Sequence, residues 1–295
     1  MRSRRAAVAI PLGVLALSLA FTGCGAQPAA APTVTRTPTP TATPTAEAGG
    51  VESIAVVGDS MSLAATACGE PTACVEQSWA IGTDAAVDSV ATRLGALQGN
   101  TPSTTAIAKL GAKASWARGQ VAALKAADPD VVLVLLGAND ACAPSDDEVT
   151  GPDAFAADYA EVLAGVRSSA PGAAIVAYSV PDLLRLWELG RDDPETVEMW
   201  QASPSCRSLL ADAGSDASDA VARRTAIADL VTSYNASIQA ACAATEGCTW
   251  DEGAVNATQF ELEDVSSLDH FHASAAGQAT LAAAAWPVVE RALGL

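Results

Sequence analysis

Histidine is almost absent from this chain: 295 residues contain two, His270 and His272. Lysine is nearly as scarce, three against thirteen arginines, and aromatic residues make up only 4%. So few imidazoles argue against a histidine-built metal centre and leave a base for work near neutral pH essentially one place to be. The shortage of basic residues against 34 acidic ones gives a formal net charge of −18, which excludes the electrostatic footprint of a nucleic-acid binder. Arginine in place of lysine, with abundant alanine, reads as a high-GC coding bias, so Arg223 and Arg224 receive no functional reading. A long apolar run is lacking too. The stretch from Ala6 to Phe21 has 16 residues, contains Pro11, and falls short of the ~20 that span a bilayer.

What that stretch does fit is a signal peptide over residues 1–23, because Arg2, Arg4 and Arg5 precede it. It ends in Phe21-Thr22-Gly23-Cys24, which resembles the lipobox of bacterial lipoproteins with Phe21 in the usual leucine position. Cys24 is then expected to carry a lipid and become the mature N-terminus, which tethers the chain to the membrane. A plain secretory signal with an incidental cysteine is the alternative. Both place the protein outside the cell, lipid-anchored on the extracellular face of the membrane or secreted. Cleavage would remove three arginines and no acid, taking the charge to −21. Residues 24–50, including TRTPTPTATPTAEAGG, have little to bury and prolines that favour extended geometry, so they read as a Pro/Thr-rich linker. Residues 51–295 are expected to form one domain, an anchored monomer by default.

Setting Cys24 aside leaves Cys68, Cys74, Cys142, Cys206, Cys242 and Cys248. An even number in an exported chain predicts three disulfides. Six cysteines allow fifteen connectivities. Loops closed by the close pairs Cys68/Cys74 and Cys242/Cys248 would leave Cys142 to Cys206. Zinc binding, the rival reading, lacks its usual spacings.

Past residue 51, short apolar runs alternate with amphipathic ones, which predicts a parallel sheet covered by helices. Strands are expected at Ser53–Val57, Val131–Leu136 and Ala174–Val180, with weaker ones at Thr105–Lys109 and Cys248–Trp250. Helices are expected at Asp84–Leu97, Ser115–Ala127, Asp153–Ser168, Ala217–Ala244 and Ser274–Leu293.

Ligands of open parallel sheets sit beyond the carboxyl ends of strands. The two strongest strands end in Gly58-Asp59-Ser60 and Gly137-Ala138-Asn139-Asp140. Either could be an ordinary turn, since these residue types dominate strand exits. A nucleophilic serine, however, needs a base, and both histidines lie in SLDHFHASAAGQ. Asp269 stands three residues before His272, a spacing at which one turn brings carboxylate to imidazole. His272 is therefore the expected base, Asp269 its orienting acid, and His270 a neighbour of open role. A metal site at Asp269, His270 and His272 is the alternative on residue type. Asp59 is expected to bond the start of the next segment and Asp140 to brace the Asn139 turn. Of Trp79, Trp116, Trp187 and Trp200, most are expected in the core.

In this order the motifs resemble the SGNH, or GDSL, hydrolase family over residues 53–288. Gly58-Asp59-Ser60 matches its first block, with Met61 where many members carry leucine. Gly111 in AKLGAKAS matches the glycine block, Gly137 to Asp140 the Gly-x-Asn-Asp block, and Asp269/His272 the Asp-x-x-His block, followed by Ala273 in place of proline. VPDLLRLWELGR with Cys206 looks like a subgroup of secreted GDSL esterases with three disulfides. The resemblance implies a three-layer α/β/α flavodoxin-like fold with a mostly parallel five-stranded sheet. It implies hydrolysis of small-molecule or lipid carboxylic esters, without cofactor, through Ser60, His272 and Asp269, with an oxyanion hole from Ser60, Gly111 and Asn139. Deacetylation of a carbohydrate, or a surface binding module that keeps the fold without catalysis, are the competing expectations.

Overall fold

The computed structural model describes residues 50–295, so the expected signal peptide, Cys24 and all of the expected linker but Gly50 lie outside the described residues. Five strands carry the fold: β1 (Ser53–Gly58), β2 (Ser103–Ala108), β3 (Val131–Leu135), β4 (Ala174–Ala177) and β5 (Cys248–Trp250). They form one sheet in the order β2-β1-β3-β4-β5, and every pair is parallel. Successive side chains of a strand point to opposite faces, and here each face buries its own set. Ala55, Val57, Val132 and Val134 pack on one side with Phe155, Tyr159 and Ile238. Ile54, Val56, Val131 and Leu133 pack on the other with Leu94, Leu281 and Val289. This two-sided burial is why the β3 run is apolar without alternation.

Parallel neighbours need crossover connections, which the first nine of ten helices among the described residues supply, while the tenth follows the last strand. They are α1 (Val90–Gln98), α2 (Ala114–Ala117), α3 (Leu124–Ala127), α4 (Ala138–Ala141), α5 (Pro152–Ser169), α6 (Leu183–Gly190), α7 (Pro194–Ala202), α8 (Arg207–Leu210), α9 (Ser218–Ala243) and α10 (Ala275–Leu293). Helices α5 and α9 cover the first face, α1 and α10 the second. The result is the expected three-layer α/β/α arrangement. No helix among the described residues is long and apolar enough to cross a membrane.

Four elements depart from expectation, each for a local reason. The helix expected from Asp84 starts at Val90, because Asp84 Oδ1 accepts from Ala86 N–H at 2.9 Å and closes a turn, while Ser89 Oγ caps Thr92 N–H at 3.1 Å. The stretch Ser115–Ala127 breaks near Gly119 into α2, a 3₁₀ turn and α3. Strand β4 stops at Ala177 rather than Val180, because Ser179 N–H and Val180 N–H donate to Asp251 Oδ2 (3.0 Å) and Asn235 Oδ1 (2.8 Å) instead of to a strand. Between β4 and α9, three helices stand where none was expected. Their starts are written in cap chemistry: Asp182 accepts from Leu184 N–H at 2.9 Å, and Asp193 caps α7 with Pro194 at its first turn. Arg191 and Arg224 flank the Trp187 ring at 4.3 Å each, which pins α6 to α9 and gives Arg224 a packing role.

The disulfides are Cys68–Cys74, Cys142–Cys206 and Cys242–Cys248, the expected pairing. Sequence separations of 6, 64 and 6 make their worth unequal in the chain-entropy account. Urea titration of pairwise Cys→Ala variants is expected to show a loss of about 4 kcal/mol for the Cys142/Cys206 pair and about 2 kcal/mol for each local pair. Equal losses for all three would contradict this ranking.

Candidate active site

The strand order puts β1 between β2 and β3, with Gly58 level with Leu135, so the chain leaves these two adjacent strands side by side. The turn after β1 is tight: a Cβ on Gly58 would stand 2.1 Å from Ser62 Oγ and 3.2 Å from Leu135 O. Glycine is needed there for the chain to close over itself. Ser60 follows two residues later, 6% exposed, and its backbone N–H has no protein acceptor among the described residues. Gly137, directly after Leu136, has φ 122° and would press a Cβ to 2.6 Å from Val180, so it too must be glycine.

Asp59 and Asn139 join the two strand exits. Asp59 Oδ1 accepts from Met61 N–H at 2.9 Å, and Asn139 Nδ2 donates to Asp59 Oδ2 at 3.0 Å and to Ala112 O at 3.2 Å. Both amide hydrogens of Asn139 thus have acceptors. Burial pushes the Asp59 carboxyl up to about 6, against the lowering influence of Met61 N–H and of nearby His272. Asp140 is buried below this turn and accepts from Ala114 N–H at 3.0 Å, which holds the loop before α2 against α4. Burial likewise raises its carboxyl to about 6.

On the opposite side, residues 269–272 form a turn closed by Asp269 itself. Its Oδ1 accepts from Phe271 N–H at 3.0 Å and His272 N–H at 3.1 Å, while Oδ2 lies 2.6 Å from His272 Nδ1. Burial works to raise the Asp269 carboxyl, yet these bonds and the imidazole outweigh it and hold it below the usual carboxylate range. An ionised carboxylate only accepts, so His272 donates from Nδ1 and its Nε2 is left as the free nitrogen.

His270 points elsewhere. Its Nδ1 lies 2.8 Å from Thr196 Oγ1, which lies 2.6 Å from Asp193 Oδ2, and its carbonyl accepts from Trp200 Nε1 at 2.8 Å. The Thr196 hydrogen bond keeps the Asp193 carboxyl below its ordinary value. Asp193 therefore takes the single Thr196 hydroxyl proton, and His270 must donate to Thr196 from Nδ1. Helix α7 thus grips the acid-base turn by side chain and by backbone, and holds His270 at a left-handed φ of 50°. These contacts make His270 an attachment point of the turn. Among the described residues no group of three or more His, Cys, Asp or Glu side chains is placed to hold a metal ion.

Ser60, Asn139 and His272 line one cavity of about 100 Å³, and Asp59 lines it as well. Its remaining wall is mainly apolar, with Leu183, Leu186 and Leu189 of α6 facing Phe260, Val265 and Phe271. No hydrogen bond joins Ser60 to His272 among the described residues. Of the expected site residues, Gly111 alone of those placed at the oxyanion does not line the cavity. It is exposed at φ 73°, and the loop turns so that Ala112 O, not Gly111, meets Asn139. Its own N–H has no protein acceptor among the described residues. The four tryptophans named from the sequence are absent from the cavity wall. Trp79, Trp187 and Trp200 are buried, and Trp116 packs half-buried against the core.

The chain belongs to the GDSL-like lipase/acylhydrolase family, whose sequence pattern matches residues 56–280. Among solved structures it is similar to TesA, at 16% identity and a TM-score of 0.51, over 82% of this chain and 99% of that one. That likeness shows the fold. It also aligns with a psychrotrophic esterase, EstA, from Pseudoalteromonas sp. (13% identity, TM-score 0.49, 83% and 100% covered). A family two carbohydrate esterase from Clostridium thermocellum aligns at 16% identity and a TM-score of 0.49, with 83% and 66% covered. No curated protein matches the sequence.

Two outcomes follow from this geometry. Because the folded Asp59 carboxyl is raised above its ordinary 3.8, its contribution to stability is full below that value and is lost as pH rises through about 6. Asp59→Asn is therefore expected to gain stability relative to wild type by up to about 3 kcal/mol between roughly pH 3.5 and 7.5, read by thermal unfolding. A pH-independent difference would contradict the raised value. Thr196→Val, which removes the link to His270, is expected to lower turnover roughly tenfold with KM little changed and to cost about 1–2 kcal/mol of stability, while Thr196→Ser restores both.

Proposed function

We propose that the protein is an exported serine hydrolase of carboxylic esters, with Ser60 as nucleophile, His272 as base and Asp269 as the acid that orients it. The observation that carries this is the 2.6 Å Asp269–His272 contact, whose imidazole shares one largely apolar cavity with Ser60 at the ends of β1 and β3. Family membership supports a hydrolase. The cavity wall is mostly apolar, with Asp182, Arg185 and Asp264 as its further charged members, and that balance favours an aliphatic ester over a sugar.

In this reading His272 Nε2 takes the Ser60 hydroxyl proton as Oγ bonds to the ester carbonyl carbon. The resulting oxyanion meets the Ser60 N–H, which lacks a protein acceptor, and the amide of Asn139, while Gly111, exposed and off the cavity wall, must swing in with its loop before its N–H can add a third donor. For Asn139 to contribute, one hydrogen must leave Ala112 O, the longer of its two bonds. Collapse breaks the bond to the alcohol, which departs with the proton from His272 and leaves the acyl group on Ser60. Water, deprotonated by the same imidazole, then releases the acid. The ionised Asp269 stabilises the imidazolium in both steps, and Asp59 adds a second negative charge near it.

The same proposal places the enzyme on the outer membrane surface through a lipid on Cys24 and the linker of residues 24–50, acting as a monomer.

Ser60→Ala is expected to abolish both turnover of p-nitrophenyl acyl esters and labelling by a fluorophosphonate probe. Asp269→Asn should lower kcat by about a thousandfold or more. Labelling of Ser60→Ala at the wild-type level would overturn the assignment. For the anchor, Cys24→Ala should lose incorporated palmitate and enter the medium, and full retention at the membrane without lipid would count against it.

A further inference from the structure

Adjoining the cavity at Ser60 is a second, much smaller one of about 10 Å³, near the lower limit for holding one water. Three residues line both cavities: Leu186 and Leu189 of α6, and Val265. The rest of the small cavity is lined by Gly190, by Thr196, Trp200 and His270 of the clasp, and by the exposed Leu262, where it opens to solvent. Leu186 and Leu189 are one helical turn apart and face the same way, so together with Val265 they form a thin apolar wall between two spaces. Leu186 also packs against the main core, whereas Leu189 belongs to neither core cluster and is half-buried. The wall's replaceable part is therefore Leu189.

We infer that this site takes the aliphatic acyl chain of its ester substrate along α6, and that Leu189 with Leu186 is the stop that sets its length. The inference rests on the ester reading above. The acyl group, not the alcohol, is the portion that needs a walled site, because it stays bonded to Ser60 until water removes it, whereas the alcohol leaves after the first step. A chain lying against Leu183, Leu186, Phe260 and Val265 ends at the partition. Past it, the space is blocked by Gly190 packed on α7: a Cβ there would come within 2.5 Å of both Thr196 Cγ2 and the Trp200 ring, so α6 and α7 are already in contact. Trimming Leu189 joins the small space to the large one without touching Ser60, Asp269 or His272. Enlarging it does the reverse.

The test is a chain-length series of p-nitrophenyl esters from acetyl to dodecanoyl on wild type, Leu189→Ala, Leu189→Phe and Ser60→Ala, all checked for wild-type circular dichroism. Burying a methylene is worth about fourfold in kcat/KM. Leu189→Ala is expected to move the optimum two or more carbons longer, raising the ratio of long to short substrates roughly tenfold, and Leu189→Phe to move it shorter. Profiles in both Leu189 variants that superimpose on wild type, with Ser60→Ala inactive, overturn this inference alone. Activity confined to the acetyl ester in every active protein also overturns it. Turnover that survives in Ser60→Ala overturns the ester reading, and this inference with it.

Discussion

Gln278, in the first turn of α10, is wholly buried and uses both ends of its amide across the molecule. Its Nε2 donates to Met61 O at 3.0 Å and its Oε1 accepts from Trp79 N–H at 2.9 Å, linking positions up to 217 residues apart. Met61 follows Ser60, and α10 follows His272, so this one side chain ties the turn of Ser60 to the helix that begins just after His272. With no water to substitute for either partner, the amide holds the two segments at fixed separation. The sheet brings Ser60 and Asn139 together by strand pairing alone. Nothing in the sheet brings His272; the buried amide does so together with the packing of α10 on the second face and the hold of α7 on His270.

A second constraint acts through the segment between β4 and α9. Its α8 end is bonded to α4 through Cys206 and Cys142, three residues from Asn139, while its α7 holds the acid-base turn through Thr196 and Trp200. Ahead of both attachments α6 supplies the apolar wall of the cavity. One stretch of chain therefore touches the Asn139 side of the cavity, the Asp269–His272 side and the apolar wall between them. A change in its packing is felt at all three.

The layers of the fold were readable because their signals are long. Helix α9 was expected at Ala217–Ala244 and runs Ser218–Ala243, and β3 is a five-residue apolar run buried on both faces. Even the three-residue β5 was expected where it lies, but helices α6 to α8 were not, since they depend on caps and on contacts such as the Arg191–Trp187–Arg224 stack, which no period encodes. Asp269 and His272 were legible because histidine is scarce and the acid lies three positions away, within one turn. The hold of Asp59 on Asn139 was not, because it spans 80 residues and exists only once β1 and β3 are paired. The position of the Gly111 loop escaped for the same reason: Asp140, across the strand exit, sets it through Ala114.

Ser60 sits near the beginning of the folded domain and the Asp269–His272 turn near its end. A ribosome thus delivers Ser60 early and His272 late, just ahead of α10, with the sheet largely specified in between. On the proposed chemistry, the nascent chain is inert toward the esters around it until its final helix has been made and docked. The order of synthesis acts as a safety catch, and any form clipped before α10 should keep its serine and have no reactivity.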